Sequence, residues 1–213
     1  MFSITPLINS LLLFTNALLV RGLDASLTLA DVRQAFYEAN IPQDANLTFN
    51  PSVFLEVIFP QESSSLSIVL YTPGTNLSVA AVALEPVFAL VGPALSKDFV
   101  VIMVDLDVPS PSDPYLGPYR HFLGGDYVPL DFTPLGAFLL GNLTKPVSSW
   151  VSPAPDSVAP HRYVLLVYEQ PTDFSGQTLI TTNTSRYNWD MSAFVRAIGM
   201  GDPIGGTYML VGA

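Results

Sequence analysis

The side chains of this 213-residue chain best spaced for chemistry are two aspartates and two histidines. Asp105 and Asp107 stand two apart where the apolar run 99–104 gives out. In an extended segment, residues two apart point to the same side, so both carboxylates are expected to face one way. His121 follows a loop stiffened by Pro109, Pro111 and Pro114, which exclude helix and central strand. His161, the other histidine, opens the apolar run His161-Arg-Tyr-Val-Leu-Leu-Val-Tyr168. Alternation puts His161 and Tyr163 on one side of that strand and Arg162 on the other. If the strand ending at Asp105 lies near it, Asp105, His121, His161 and Tyr163 converge. An imidazolium and a phenol donate hydrogen bonds to a phosphate or sulfate oxygen. A carboxylate accepts from an ammonium, or holds a histidine protonated. Such a cavity suits a small zwitterion or a phosphomonoester-like anion.

Plainer roles compete for each residue. Asp107 and Asp113 fit turn formers as well as functional groups. Arg162 is expected in a structural ion pair with Asp107 or Asp113, and Tyr163 fits an ordinary core tyrosine with one hydrogen bond. Ser110 or Ser112 with a histidine and an aspartate could be written as a hydrolytic triad, but no Gly-x-Ser-x-Gly elbow surrounds either serine. Two histidines with Asp105 could form a metal facial triad, yet no short motif such as His-Glu-x-x-His is present. The expectation is a non-enzymatic protein with no cofactor and no metal.

The elements that must position these residues are mostly strands. Thr28-Leu-Ala-Asp31 resembles a capping box, followed by Leu29, Val32, Phe36 and Ala39 at helical spacing, with Asn40 and Pro42 closing the helix. From residue 46 the period changes to two, and 53–59, 66–71, 78–84 and 87–91 are strand candidates. Residues 129–160 are rich in Pro, Gly and Ser and predict a long irregular loop, with 135–140 an apolar island. The continuous apolar run 164–167 predicts a central strand covered on both faces. A second helix is expected over 190–198, stopped by Gly199, and a last strand over 207–211. The class is mainly β and antiparallel, with short N- and C-terminal helices and a two-sheet arrangement.

Composition bounds the functions. Half the residues are hydrophobic (49%) and only 12% charged, which excludes disorder. The net charge of -10, from 18 acids against 8 bases, repels nucleic acid and anionic lipid at long range. Any anion must therefore be held by a local site working against the global field. Residues 1–22 resemble a signal peptide: an apolar stretch interrupted by Asn9, Ser10 and Asn16, and too short for a membrane anchor. Residues 23–213 are then expected as one secreted domain, in the extracellular space or a secretory-pathway lumen such as the vacuole. Four N-glycosylation sequons, at Asn46, Asn76, Asn142 and Asn183, agree with secretion. Cysteine is absent, and a core this large dispenses with disulfides.

Taken together, Asp105-x-Asp107-x-Pro109-Ser110, Ser112-Asp113-Pro114, His121-Phe122 and His161-Arg162-Tyr163 resemble the two signature segments of the phosphatidylethanolamine-binding protein family. The resemblance covers nearly the whole mature chain. It implies a β-sandwich of Greek-key type with a small anion pocket at Asp105, Val108, Tyr119, His121, Pro155, His161 and Tyr163. Asp107, Pro109, Asp113 and Arg162 would support it. It implies binding of phosphate-like anions or phospholipid headgroups, and, as an alternative, inhibition of a serine carboxypeptidase or another protease. Leu106 stands where the family usually has proline. Arg120 stands where many members carry His, Trp or Leu, and Ala159-Pro160 replaces a Gly-x pair, so the pocket rim is expected to differ in shape.

Overall fold

The computed structural model describes residues 27–62, 64, 66–93, 97–132 and 136–213, with the side chains of 131 and 132 excepted. The expected signal peptide lies outside the described residues. Among the described residues, nine strands form one sheet: β1 (Phe54–Pro60), β2 (Ser67–Leu70), β3 (Thr75–Asn76), β4 (Val87–Val91), β5 (Phe99–Asp105), β6 (Tyr119–Phe132), β7 (Phe138–Asn142), β8 (His161–Glu169) and β9 (Gly205–Val211). Their order is β2-β1-β4-β7-β6-β5-β8-β9-β3. Every pairing is antiparallel except β3 with β9.

The order itself dictates the shape. The two edge strands, β2 and β3, are consecutive in the chain and joined only by residues 71–74. That link reaches at most about 18 Å, whereas a flat sheet of nine strands would hold its edges about 38 Å apart. The sheet therefore curls nearly shut. The mainly-β expectation holds, while the strands join in one curled sheet instead of two separate ones.

Strands β5 and β8 are buried on both faces, which accounts for their unbroken apolar runs. Inside the curl, Val101, Met103, Leu165 and Val167 pack with Phe59, Phe88 and Phe122. On the outer face, Val100, Ile102, Val104, Val164 and Leu166 are covered by three helices: α1 (Leu29–Glu38), α2 (Ile41–Asp44) and α3 (Met191–Ala197). Helix α1 starts in the expected capping box: Asp31 N–H donates to Thr28 Oγ1, and Thr28 N–H donates to Asp31 Oδ2. It ends at Asn40, whose φ of 54° breaks the helix, and Pro42 then opens α2 instead of merely closing α1.

Two further expectations change. Residues 78–84 hold a 3₁₀ turn at Val79–Val82, not a strand, because Ser78 caps it by accepting from Ala81 N–H. Only Ala81 and Val82 bury, a one-sided pattern too short for strand alternation to decide. The expected loop 129–160 begins later, since β6 runs on to Phe132 and pairs with β7.

Candidate functional site

A cavity of about 240 Å³ opens at the end of the curled interior. Three strands build it. On β5 the inward row Phe99, Val101, Met103 continues to Asp105. On β8 the inward row Val167, Leu165 continues to Tyr163 and His161, with Tyr163 directly opposite Asp105. On β6 the register slips: Met103 faces Phe122 but Val104 faces Arg120, which leaves His121 as the extra residue of a bulge. The bulge turns His121 into the cavity next to inward-facing Phe122, while Arg120 goes to the helical side against Trp189. Simple alternation along β6 does not predict this.

All seven expected pocket residues line this one cavity: Asp105, Val108, Tyr119, His121, Pro155, His161 and Tyr163. Pro109 lines it as well, with Leu116, Val151, Ser152, Ala154, Asp156 and Tyr187. The last six were not foreseen. They come from irregular segments (106–118, 143–160 and 177–190) whose paths no periodicity announces. Three larger hollows, of about 680, 490 and 360 Å³, lie beside the helices and contain neither histidine.

The protons at His161 can be assigned from its partners. Asp105 Oδ2 lies 2.8 Å from Nδ1, so Nδ1–H donates to the carboxylate. Ser157 Oγ lies 3.0 Å from Nε2 and 2.7 Å from the Ala159 carbonyl. A hydroxyl has one proton, and the carbonyl can only accept, so Ser157 donates to Ala159 and accepts from Nε2–H. His161 is thus an imidazolium with both protons engaged. Burial alone would lower its pKa; the hydrogen bond and charge of Asp105, with Asp107 beyond, outweigh burial and raise it. Asp105, Nδ1, Nε2 and Ser157 follow each other as in a hydrolytic triad, but the polarity is reversed: the histidine donates and the serine is not activated.

His121 is the opposite case. Its Nδ1 lies 2.7 Å from the Val151 carbonyl and donates to it, leaving Nε2 without a partner among the described residues. Burial lowers its pKa, against smaller opposing effects of the Val151 bond and Asp105. A lowered pKa leaves it mainly neutral at pH 7. Tyr119 and Tyr163 stack edge-on against the His121 ring, with centroids 4.7 and 5.1 Å away. Burial and the nearby Asp105 carboxylate raise the Tyr163 pKa, so its hydroxyl stays a donor. Tyr119 is likewise raised by burial.

Asp107 departs from the expected common direction. The strand ends at Asp105, the chain bends, and alternation no longer applies. Asp105 faces the cavity and also accepts from Asp107 N–H at 2.8 Å, whereas the Asp107 carboxylate lies under the site, fully buried against Arg162. Arg162 Nη2 and Nε reach its two oxygens at 2.6 and 3.0 Å. Arg162 Nη1 continues to the Ala39 carbonyl and Asp44, tying β8 to α1 and α2. The expected ion pair is therefore with Asp107. Asp113 is exposed, its carboxylate has no partner among the described residues, and it supports only a turn through its backbone bond to Ser110.

Asn46, Asn76 and Asn183 are exposed, and Asn142 is half-buried with Oδ1 accepting from Thr144 N–H. Among the described residues, no group of three His, Cys, Asp or Glu could hold a metal ion. No described helix is long and apolar enough to cross a membrane.

Comparison with known proteins agrees with this fold. The family model for phosphatidylethanolamine-binding protein matches residues 67–209. CEN-like protein 1 of Nicotiana tabacum is 30% identical over 161 residues, covering 76% of this chain and 82% of that protein. Among solved structures, carboxypeptidase Y inhibitor complexed with its cognate proteinase superposes with a TM-score of 0.69 at 21% identity, over 86% of this chain and 95% of the inhibitor. Phosphatidylethanolamine-binding protein from Plasmodium vivax gives 0.64 at 13% identity, over 84% and 96%. The chain that places an aspartate, two histidines and a tyrosine around this cavity belongs to the phosphatidylethanolamine-binding protein family.

Proposed function

We propose that this protein is a non-enzymatic binder of a small phosphate-like anion, either free or as a phospholipid headgroup such as phosphoethanolamine. The observation that carries the reading is the bare Nε2 of His121 in a cavity where the hydroxyls of Tyr119 and Tyr187 have no protein partner among the described residues. His161 cannot offer a proton directly, since both are engaged. Its part is to neutralise Asp105, which would otherwise repel an anion. At about 240 Å³ the cavity is below the usual ~300–1,000 Å³ of drug-sized sites, which suits a headgroup and excludes an acyl chain.

Binding of an anion at Nε2 raises the lowered His121 pKa, so affinity strengthens as pH falls. Titration calorimetry with phosphate and with phosphorylethanolamine at pH 5 and pH 8 tests this. Tighter binding at pH 5 is expected; equal or tighter binding at pH 8 overturns the reading. The signal-like segment 1–22, followed by a single domain over 23–213, and the sequons support secretion as a glycoprotein. A mass drop on enzymatic deglycosylation of the secreted chain checks it. A second reading, inhibition of a serine carboxypeptidase, is supported by the fold shared with carboxypeptidase Y inhibitor over most of both chains. Mixing the protein with such an enzyme and measuring residual peptidase activity decides it.

A further inference from the structure

Segment 177–190 brings Tyr187 to the cavity, and two arginines hold that segment to the bulge of β6. Arg186 Nη1 donates to the carbonyls of Arg120 (3.0 Å) and His121 (3.1 Å), and its Nη2 to the carbonyl of Ser149 (2.9 Å). In return, Arg120 N–H donates to the Arg186 carbonyl at 2.9 Å. The Arg120 guanidinium donates to the carbonyls of Ser185 and Thr184, both at 3.2 Å, and to Ser148 Oγ at 2.8 Å. Among the described residues, neither arginine has a carboxylate partner. In a chain with 18 acids and 8 bases, two such arginines side by side need a reason.

We propose that Arg186 is the positioning cation of the pocket. Its guanidinium fixes two walls by their carbonyl oxygens and keeps an unneutralised positive charge behind His121 for an anion bound in front of it. The three carbonyls belong to the bulge that aims His121 and to the segment that supplies Val151, the acceptor for His121 Nδ1. A carbonyl-satisfied guanidinium retains its full charge, unlike Arg162, whose charge is cancelled by Asp107 and Asp44. Its field reaches the site: the Arg186 charge lowers the pKa of both His121 and Tyr119. The other titratable groups around the cavity that His121 enters are Tyr119 on its own strand, Asp105 on β5, His161 and Tyr163 on β8, and Asp156 and Tyr187 from the irregular walls.

The proposal rests on the anion reading, and its test separates the two. Inorganic phosphate affinity is measured by calorimetry at pH 6 for the wild type, Arg186→Lys and Arg186→Gln. The His121 pKa is followed by NMR of the imidazole C–H signals in the ligand-free proteins. With only two histidines in the chain, a His121→Gln spectrum assigns them. Arg186→Gln is expected to weaken phosphate at least tenfold and to raise the His121 pKa. Arg186→Lys is expected to keep affinity within tenfold and leave His121 titrating as in the wild type. Unchanged affinity or an unmoved His121 pKa in Arg186→Gln overturns the assignment. Should Arg186→Gln fail to fold, Arg186→Lys decides: a loss of tenfold or more in a natively folded protein overturns the role of the charge. If the wild type binds neither phosphate nor phosphorylethanolamine, the anion reading fails, while the His121 shift still reports whether Arg186 acts on the pocket.

Discussion

Replacing Asp105 by asparagine tests the charge arrangement at its origin. Asp105 is 2% exposed and accepts from His161 Nδ1 and from Asp107 N–H, both at 2.8 Å. Asparagine keeps the shape and can still accept from Asp107 N–H through its amide oxygen. It loses the charge that favours the imidazolium. Hydrogen bonds to charged groups contribute about 1.5–3 kcal/mol each, and one such bond is lost, so Asp105→Asn should destabilise by about 2–3 kcal/mol near pH 6. For a chain of this size that lowers Tm by roughly 5–10 °C. The pH dependence gives the sharper signature. In the wild type the His161 pKa is raised, so its stabilisation is fully present below about pH 6.5, the unfolded value. It is lost as pH rises through the folded pKa. In Asp105→Asn burial prevails, His161 folds neutral, and stability instead falls as pH drops below about 6.5. The gap between the two proteins is therefore widest below about pH 6.5, the unfolded value, and narrows as pH rises through the raised folded pKa of His161. Urea denaturation at pH 5.5, 7 and 9, with NMR titration of His161, measures both. A gap independent of pH, or a His161 pKa still above its ordinary value in Asp105→Asn, would refute the reasoning.

Other outcomes follow from individual contacts. Asp107→Ala removes the buried half of an ion pair and should cost about 3–5 kcal/mol, whereas Asp44→Ala, at the exposed end of the same arginine, should cost under about 1 kcal/mol; urea denaturation compares them, and equal losses would contradict the burial argument. Gly125→Ala puts a methyl 2.1 Å from Phe174 Cε1 and 2.7 Å from Gln170 Oε1, so overpacking should cost about 1–3 kcal/mol, read as a lowered Tm. Because the Ser157 proton goes to Ala159 and His161 donates to the hydroxyl, a fluorophosphonate probe should leave Ser157 unlabelled at pH 7; stoichiometric labelling seen by mass spectrometry would show an activated serine.

Much of the site was legible because it sits on regular strands. The apolar run before Asp105 and the one after His161 are both strands, and counting by two along them places Asp105, His161 and Tyr163 on one side. His121 needed more than counting, since its direction depends on a bulge that only pairing with β5 creates. Asp107 was misdirected for a related reason: alternation was carried two residues past the strand end. The rim residues Leu116, Val151 and Tyr187 lie in irregular segments held by side-chain bonds, above all those of Arg186 and Arg120, and local sequence contains no trace of such long-range partners. Residues 78–84 have strand-like composition, but a serine cap and short side chains suffice for a 3₁₀ turn. The single curled sheet was equally hidden, because it follows from the short β2–β3 link together with the pairing of β3 to β9.

The most direct measurement is a crystal structure of the protein soaked in phosphate at pH 5.5. A tetrahedral anion should stand within hydrogen-bonding distance of His121 Nε2 and at least one of the Tyr119 and Tyr187 hydroxyls, with the Asp105–His161 bond intact. An empty cavity at saturating phosphate, or an anion that binds only by breaking that bond, would contradict the account.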